Sequence, residues 1–242
     1  VPRLTLAPDG RLRHRIGAHE ISNDLAGWIA DDLVAPGLVE PAAFERVFVS
    51  VVRSVDPGWT AFYRNTLDGL AAGGAPGGTN AGMAPVHARA RELAQGSVVE
   101  LGCCFGFLSL ALAGDGHDVT AVDLSAGTVR LLASVAPVLG RPLRALAGDA
   151  TAVPLADGCV DTAFAVHLLE HLPPALAPRV LAEMLRVARG RVVVAVPFED
   201  EPDPTWGHVR VFDAAALDAL GAATGLPYRV DEHHGGWLVV RP

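Results

Sequence analysis

The sequence predicts a doubly wound α/β domain preceded by a small, mainly helical cap. From Val98 onward, short apolar runs alternate with helical stretches, the grammar of buried parallel strands joined by crossover helices. Between Ile21 and Leu70 the apolar residues recur instead at helical spacing. Half of the 242 residues are hydrophobic and only 19% are charged, so the chain can bury a sizeable core, which argues against disorder and against a small disulfide-stapled fold.

Taken in order, Arg3 to Ile16 alternate loosely around Pro8-Asp9-Gly10, a turn signal, and predict a short hairpin. Leu25, Trp28 and Ile29, then Phe44, Val47, Phe48 and Val51, then Phe62, Leu67 and Leu70 predict helices of a cap. Residues Ala71 to Gly82 are too rich in glycine to continue a helix and read as a mobile linker or an active-site lid, dividing a cap of residues 1–82 from a domain of residues 83–242. Strands are predicted at Val98–Leu101, Asp118–Val122, Leu143–Ala147, Val160–Val166 and Val192–Val196, with helices near Phe107–Ala113, Gly127–Val135 and Pro174–Val187. Tyr228–His233 and Trp237–Val240 flank Gly235-Gly236 and suggest a terminal antiparallel hairpin. His233 and His234, as neighbours in a strand, would face opposite sides and hold no metal together.

The net charge is −8, and every one of the 19 basic residues is arginine. An acidic surface repels a phosphate backbone, which argues against a nucleic-acid partner. The absence of lysine, with much Ala, Arg, Gly and Pro, suggests a GC-rich bacterial gene. Cys103, Cys104 and Cys159 are odd in number and match no zinc spacing, so they read as reduced small residues. No apolar run approaches the roughly 18 residues of a membrane span, and Val1-Pro2-Arg3-Leu4 does not open a signal peptide. A cytoplasmic protein without a membrane partner is the expectation.

The first strand of the α/β region runs into Glu100-Leu101-Gly102-Cys103-Cys104-Phe105-Gly106 and then at once into a helical pattern. Glycine is needed where a strand turns sharply into a helix and where backbone approaches a ligand closely, and Gly102 and Gly106 are placed for both. Asp123 closes the second strand 21 positions after Gly102. A carboxylate there can accept from both hydroxyls of a ribose, or serve only as a helix N-cap. By themselves these residues mean a nucleoside cofactor in a Rossmann-like fold. Gly148-Asp149-Ala150 ends the third strand, where a carboxylate can accept from an adenine amino group while the next N–H reaches a ring nitrogen. The fourth strand leads to His167-Leu168-Leu169-Glu170-His171-Leu172-Pro173-Pro174.

With four signals in register at four consecutive strand ends, the stretch from Val98 to Val240 resembles the class I S-adenosylmethionine-dependent methyltransferases, a group that includes ubiquinone-pathway, small-molecule and sugar O-methyltransferases. The resemblance implies S-adenosylmethionine as cofactor and a seven-stranded sheet of order 3-2-1-4-5-7-6 with its last strand antiparallel. It assigns Glu100, Gly102, Cys103 and Gly106 to the methionine side of the cofactor and Asp123 to the ribose. Leu124 lines the adenine pocket, Asp149 and Ala150 read the adenine, and His167 lies near the sulfonium. The chain departs from the family where Cys104 replaces a third glycine. Two rivals remain: a non-catalytic binding protein of the same fold, supported by Cys104, and an NAD-dependent oxidoreductase, which explains neither Gly148-Asp149 nor the terminal hairpin.

Methyl transfer to an alcohol requires in-line approach at roughly 3 Å and loss of the hydroxyl proton, and histidine suits the second task because its ordinary pKa lies near working pH. The candidates are His171 and, in the loop from Pro197 to Phe212, His208; both loops follow strand carboxyl ends, where open α/β sheets bind ligands. In similar sugar O-methyltransferases a histidine at the position of His171 is the base, which ranks it first. Each also has a structural reading, His171 as a histidine satisfied by Glu170 or backbone and His208 as a partner of the Glu199–Asp203 carboxylates. A cation held by that acidic loop is the lesser alternative, and with no compact ligand spacing no metal is assigned. Trp206 and Arg210 are candidates to contact the acceptor, Trp206 having the equal alternative of anchoring its loop to the core; Trp59, Phe62 and Tyr63 either cover the acceptor or form the cap's own core. The cap either closes over substrate or mediates a homodimer. The Pro197–Asp200 and Gly207–Phe212 segments resemble actinobacterial methyltransferases acting on glycosylated natural products such as the mycofactocin oligosaccharide, which implies a small-molecule or oligosaccharide acceptor.

Overall fold

The structure, a computed structural model, describes residues 2–242. The chain forms two compact units: Val1–Pro85 with Pro204–Trp206, and Val86–Asp203 with Gly207–Pro242.

The first unit opens with the expected hairpin. Strands β1 (Leu4–Leu6) and β2 (Leu12–His14) pair antiparallel, with Leu4 opposite His14. Helix α1 (Leu25–Ile29) runs into a π-helical turn at Ala30–Val34, and a 3-10 turn at Pro41–Ala43 leads into α2 (Phe44–Val55), followed by α3 (Thr60–Ala71). Their apolar stripes meet in one core of Leu25, Ile29, Leu33, Phe48, Val51, Val52, Phe62 and Tyr63. Phe62 stands edge-on to Phe48, Trp59 and Tyr63, with ring centroids 5.3 to 5.6 Å apart. Each such side chain stabilises the fold by roughly 1.5–3 kcal/mol through burial, and edge-to-face contact suits the aromatic quadrupole. Trp59, Phe62 and Tyr63 are therefore core residues of this unit, the second of the two roles the sequence left open.

Helix α4 (Thr79–Leu93) corrects the reading of the glycine-rich stretch. Only residues 72–78 are non-helical, and Thr79, Asn80, Ala81 and Gly82 belong to α4. The helix starts there because Asp24, distant in sequence, accepts the Asn80 N–H at 2.8 Å, and the Thr79 hydroxyl accepts the Gly27 N–H at 3.2 Å. A cap supplied from another segment leaves no local sequence signal. Pro85 lies inside α4 and removes one helical N–H at the residue where the two units divide.

The second unit holds the α/β domain. Its elements are β3 (Val98–Leu101), α5 (Phe107–Gly114), β4 (Val119–Asp123), α6 (Ala126–Val138), β5 (Arg144–Ala147), β6 (Val160–Val166), α7 (Ala177–Val187), β7 (Ala188–Val196), α8 (Ala214–Ala222), β8 (Tyr228–Glu232) and β9 (Gly236–Val240). They build one seven-stranded sheet, ordered β5-β4-β3-β6-β7-β9-β8. Counting these seven strands alone, the order is 3-2-1-4-5-7-6, as the resemblance implied. The strands β5, β4, β3, β6 and β7 are parallel, and β9 is antiparallel to both β7 and β8. Central strands read as continuous apolar runs because both sheet faces are covered: Val98, Val99 and Leu101 of β3 and Val192, Val193 and Val194 of β7 are buried.

Three details differ from the sequence reading. Helix α8, capped by the Asp213 carboxylate on the Ala216 N–H, had no assignment. Strand β7 begins four residues earlier than expected, at Ala188, directly after α7. His233 and His234 lie in the turn between β8 and β9, with ring centroids 4.9 Å apart, so they do not face opposite sides of a strand. Among the described residues no helix is long and apolar enough to cross a membrane.

The cap on α4 is testable. Asp24→Ala should destabilise the first unit by about 1 kcal/mol and accelerate hydrogen exchange at the Asn80 amide about fivefold, whereas Asp24→Asn, which keeps an acceptor, should restore most of the protection. Unchanged exchange in Asp24→Ala would show that α4 starts without this bond.

Candidate active site

The loop after β3 changes backbone hand repeatedly. Gly102, Cys104 and Gly106 have φ of 71°, 49° and 76°. A Cβ at Gly102 would lie 2.6 Å from Leu168 Cδ1, and one at Gly106 would lie 2.5 Å from Leu132 Cδ2, so a side chain at either position would displace a leucine as well as strain the backbone. Cys104 adopts the left-handed conformation that a glycine would supply, and its N–H is held by Asp123 Oδ2 at 2.8 Å. The replacement of the third glycine therefore leaves the loop formed. Gly102 and Cys103 both donate their N–H groups to the Val122 carbonyl, at 2.8 and 3.1 Å. Cys103 is buried, and burial pushes its thiol above the ordinary range; all three cysteines are thiols rather than disulfides.

Asp123 ends β4 and its other oxygen accepts the Ser125 N–H at 2.8 Å. The N-cap of α6 is Ser125, whose hydroxyl accepts the Thr128 N–H, so capping does not account for Asp123. Leu124 is exposed beside it. Asp149 follows β5 and accepts from both the N–H and the hydroxyl of Thr151, which lowers its pKa; Ala150 is half-buried. The segment beyond is tied down by Arg186 of α7, which donates to the carbonyls of Val153 and Leu155 and to the carboxylates of Glu183 and Asp157. Glu100 points into the core, where its carboxyl accepts the Ser109 hydroxyl of α5. Burial pushes it up to about 7.

A second cluster gathers at the carboxyl ends of β6 and β7. His167, with φ of 52°, leads into a 3-10 turn at Leu169–His171. The Glu170 carbonyl accepts the Val209 N–H at 2.9 Å, which draws the His208 loop over this turn. His171 Nδ1 lies 3.3 Å from the Gly207 carbonyl, and His208 Nδ1 lies 2.7 Å from Glu199 Oε2. The two rings meet edge to face at 4.9 Å. The Glu170 side chain is 1% exposed and neither carboxylate oxygen has a hydrogen-bond partner, although His167 Nδ1 stands 3.4 Å from one of them. Burial pushes Glu170 up to about 8, His167 down to about 4, and His171 below its ordinary value. The structure thus brings His171, His208 and His167 together, with His171 on a backbone carbonyl and His208 on Glu199, partners that the structural readings of those two named. It also adds Glu170 and Glu199 as members, and His87 of α4, buried, pushed down to about 4 and electrostatically coupled to His167. His87 had no sequence signal beyond a histidine in an alanine-rich helical run. Arg210 stacks its guanidinium 4.1 Å over Phe212, and Trp206 stands edge-on to Phe44 at 5.9 Å.

Comparison with known proteins matches residues 99–196 to the methyltransferase domain family. That span holds the glycine loop, both strand-end carboxylates and the turn bearing His171. Residues 99–196 are similar to a methyltransferase domain. A curated relative, the demethylmenaquinone methyltransferase of Beutenbergia cavernae, is 42% identical over 100 residues, covering 40% of this chain and 39% of that protein. The chain thus spans well under half the length of that relative. Among solved structures, a SAM-dependent methyltransferase from Aquifex aeolicus is similar with TM-score 0.51 and 21% identity, covering 64% of this chain and 86% of that one. The magnesium protoporphyrin IX methyltransferase of Synechocystis PCC 6803, solved with S-adenosylhomocysteine, gives TM-score 0.53 at 18% identity, covering 67% and 83%. At such identities the structures speak to the fold alone, and it is the same fold. S-adenosylhomocysteine is bound in the Synechocystis enzyme, whose fold this domain shares.

The buried Glu100 of the domain gives a pH test. The unfolded chain ionises this carboxyl above about 4.5 while the folded chain resists ionisation up to about 7. Its contribution to stability is therefore complete below the lower value and is lost as pH rises through the upper one. Glu100→Gln should remove that loss, so the wild type should fall relative to the variant across this window by on the order of 2–3 kcal/mol, read by thermal melts. Parallel pH profiles would show that Glu100 is ionised in the folded protein.

Proposed function

We propose that the chain is an S-adenosylmethionine-dependent O-methyltransferase that transfers a methyl group to a hydroxyl of a small molecule or glycan, with a glycosylated natural product such as the mycofactocin oligosaccharide as acceptor. The observation that carries the reading is the imidazole–carboxylate cluster of Glu170, His171, Glu199 and His208 at the strand ends beside the cofactor motifs. In this reading residues 1–82 are a cap and residues 83–242 the methyltransferase domain.

The residues present fit the cofactor. Gly102, Cys103 and Gly106 form a loop where a side chain at either glycine would crowd a leucine, suited to close backbone approach by the methionine portion, with Glu100, which ties β3 to α5 through Ser109, assigned to the same side of the cofactor. Asp123, fixed by two backbone N–H groups, retains acceptor capacity for the ribose hydroxyls. The exposed Leu124 face suits an adenine ring, with Asp149 and Ala150 reading its edge and His167 near the sulfonium. When bound, the cofactor supplies an electrophilic methyl group that passes to the acceptor oxygen while the carbon–sulfur electron pair stays on sulfur. The protein holds the acceptor in line and the His171–His208 cluster draws off its proton; both imidazoles are anchored through Nδ1, which fixes their orientation.

A second reading takes a demethylmenaquinone-like acceptor, favoured by the 42% identity to the relative of that name. An acceptor panel of glycosides and quinols, followed by S-adenosylhomocysteine release, separates the two.

Two measurements test the site. Calorimetric titration should find binding of S-adenosylhomocysteine and S-adenosylmethionine but not NAD, with Asp123→Ala weakening it at least about tenfold; tight NAD binding would overturn the assignment. His171→Ala and His208→Ala should each lower kcat by about 10²-fold or more while leaving S-adenosylhomocysteine affinity within a few-fold. Full turnover in both variants would remove the cluster from the mechanism.

A further inference from the structure

We propose that Glu170, His171 and His208 form a binding site for a divalent first-row transition-metal ion. Each offers a ligand atom, and these atoms lie within 4.8 Å of one another, the one such group of three among the described residues. No spacing in the sequence marks it, because His208 arrives from the loop beyond β7.

Three features point to an ion rather than to a fortuitous cluster. The Glu170 carboxyl is buried with neither oxygen hydrogen-bonded, and its ionised form costs several kcal/mol there unless a counter-charge meets it, so the group stays protonated or takes a cation. Each imidazole is held through Nδ1, by the Gly207 carbonyl on His171 and by the Glu199 carboxylate on His208. An Nδ1–H donated to a carbonyl or carboxylate leaves Nε2 with a bare lone pair, the arrangement that orients metal-ligating histidines. The donor set of two imidazoles and one carboxylate suits zinc, manganese, cobalt or iron(II), whereas magnesium and calcium favour all-oxygen shells.

Bonds of about 2.0–2.1 Å require the donors, now within 4.8 Å of one another, to draw in by roughly an ångström. Three protein ligands leave a coordination position open. The use of that position rests on the proposed function and changes the part of the imidazoles in it: with the ion bound they would be its ligands rather than the base, and a substrate hydroxyl at the open position would become more acidic and pass its proton to water. Metal binding itself does not depend on that reading.

The test uses untagged full-length protein titrated calorimetrically with Zn²⁺, Mn²⁺ and Mg²⁺, and with Co²⁺ followed by its visible absorption. The expected result is one Zn²⁺ per chain, weaker or absent Mg²⁺ binding, and a Co²⁺ spectrum of low coordination number. His208→Ala and Glu170→Gln should each weaken Zn²⁺ at least about 100-fold and Glu199→Gln about tenfold, while the double substitution of His233 and His234 by alanine changes nothing. If Glu170→Gln fails to fold, His171→Ala and His208→Ala decide alone, with circular dichroism confirming their folds. Absence of saturable binding, or binding unmoved by His208→Ala, would overturn the proposal. S-adenosylhomocysteine titration of the same samples reads the cofactor assignment separately, so either can fail without the other.

Discussion

The parallel pairing of β3 with β4 on one side and β6 on the other is the constraint on which the rest of the domain depends. Parallel strands end at one edge, so the chain after each strand emerges there. The glycine loop follows β3, Asp123 ends β4, Asp149 follows β5, His167 follows β6 and Glu199 follows β7. The register ties these together at the level of single atoms. The Val122 carbonyl receives two N–H groups from the β3 loop, and the next residue, Asp123, receives a third from Cys104. A shift of β4 by one residue would break all three bonds and turn the Asp123 side chain to the other face of the sheet.

Two buried carboxyl groups show how differently one edge can treat the same chemistry. Glu100, in β3, receives the Ser109 hydroxyl and serves as an internal strut between β3 and α5. Glu170 is as deeply buried and receives nothing, with two imidazoles and the His208 loop around it. A polar group satisfied inside the core belongs to the fold, whereas one left unsatisfied at a strand end is a cost that only a ligand or proton can offset. The contrast separates the framework of the domain from the cluster proposed to act on an acceptor.

The cysteine at position 104 illustrates how backbone geometry can absorb a departure from a motif. Its left-handed backbone costs about 1–2 kcal/mol for a residue with a Cβ, and the bond from its N–H to Asp123 holds it in place. The support it gave to a non-catalytic reading rested on residue identity alone. The loop's conformation weakens that support, because the turn forms with positive φ at 102, 104 and 106.

Much of this molecule was legible in the chain alone. The seven strands, their crossover helices and the order of the strand-end residues follow from apolar period and glycine placement, because burial on both sheet faces imposes a pattern that few other arrangements share. Helix α4 escaped notice because its cap, Asp24, lies in another segment. The three-residue cluster of Glu170, His171 and His208 escaped notice because its members come from two loops separated by a helix and a strand. Local sequence thus determined which strands exist and which side chains stand at their ends. Tertiary structure decided which side chains from different loops meet and which buried groups stay unsatisfied, since those depend on contacts that no window along the chain contains.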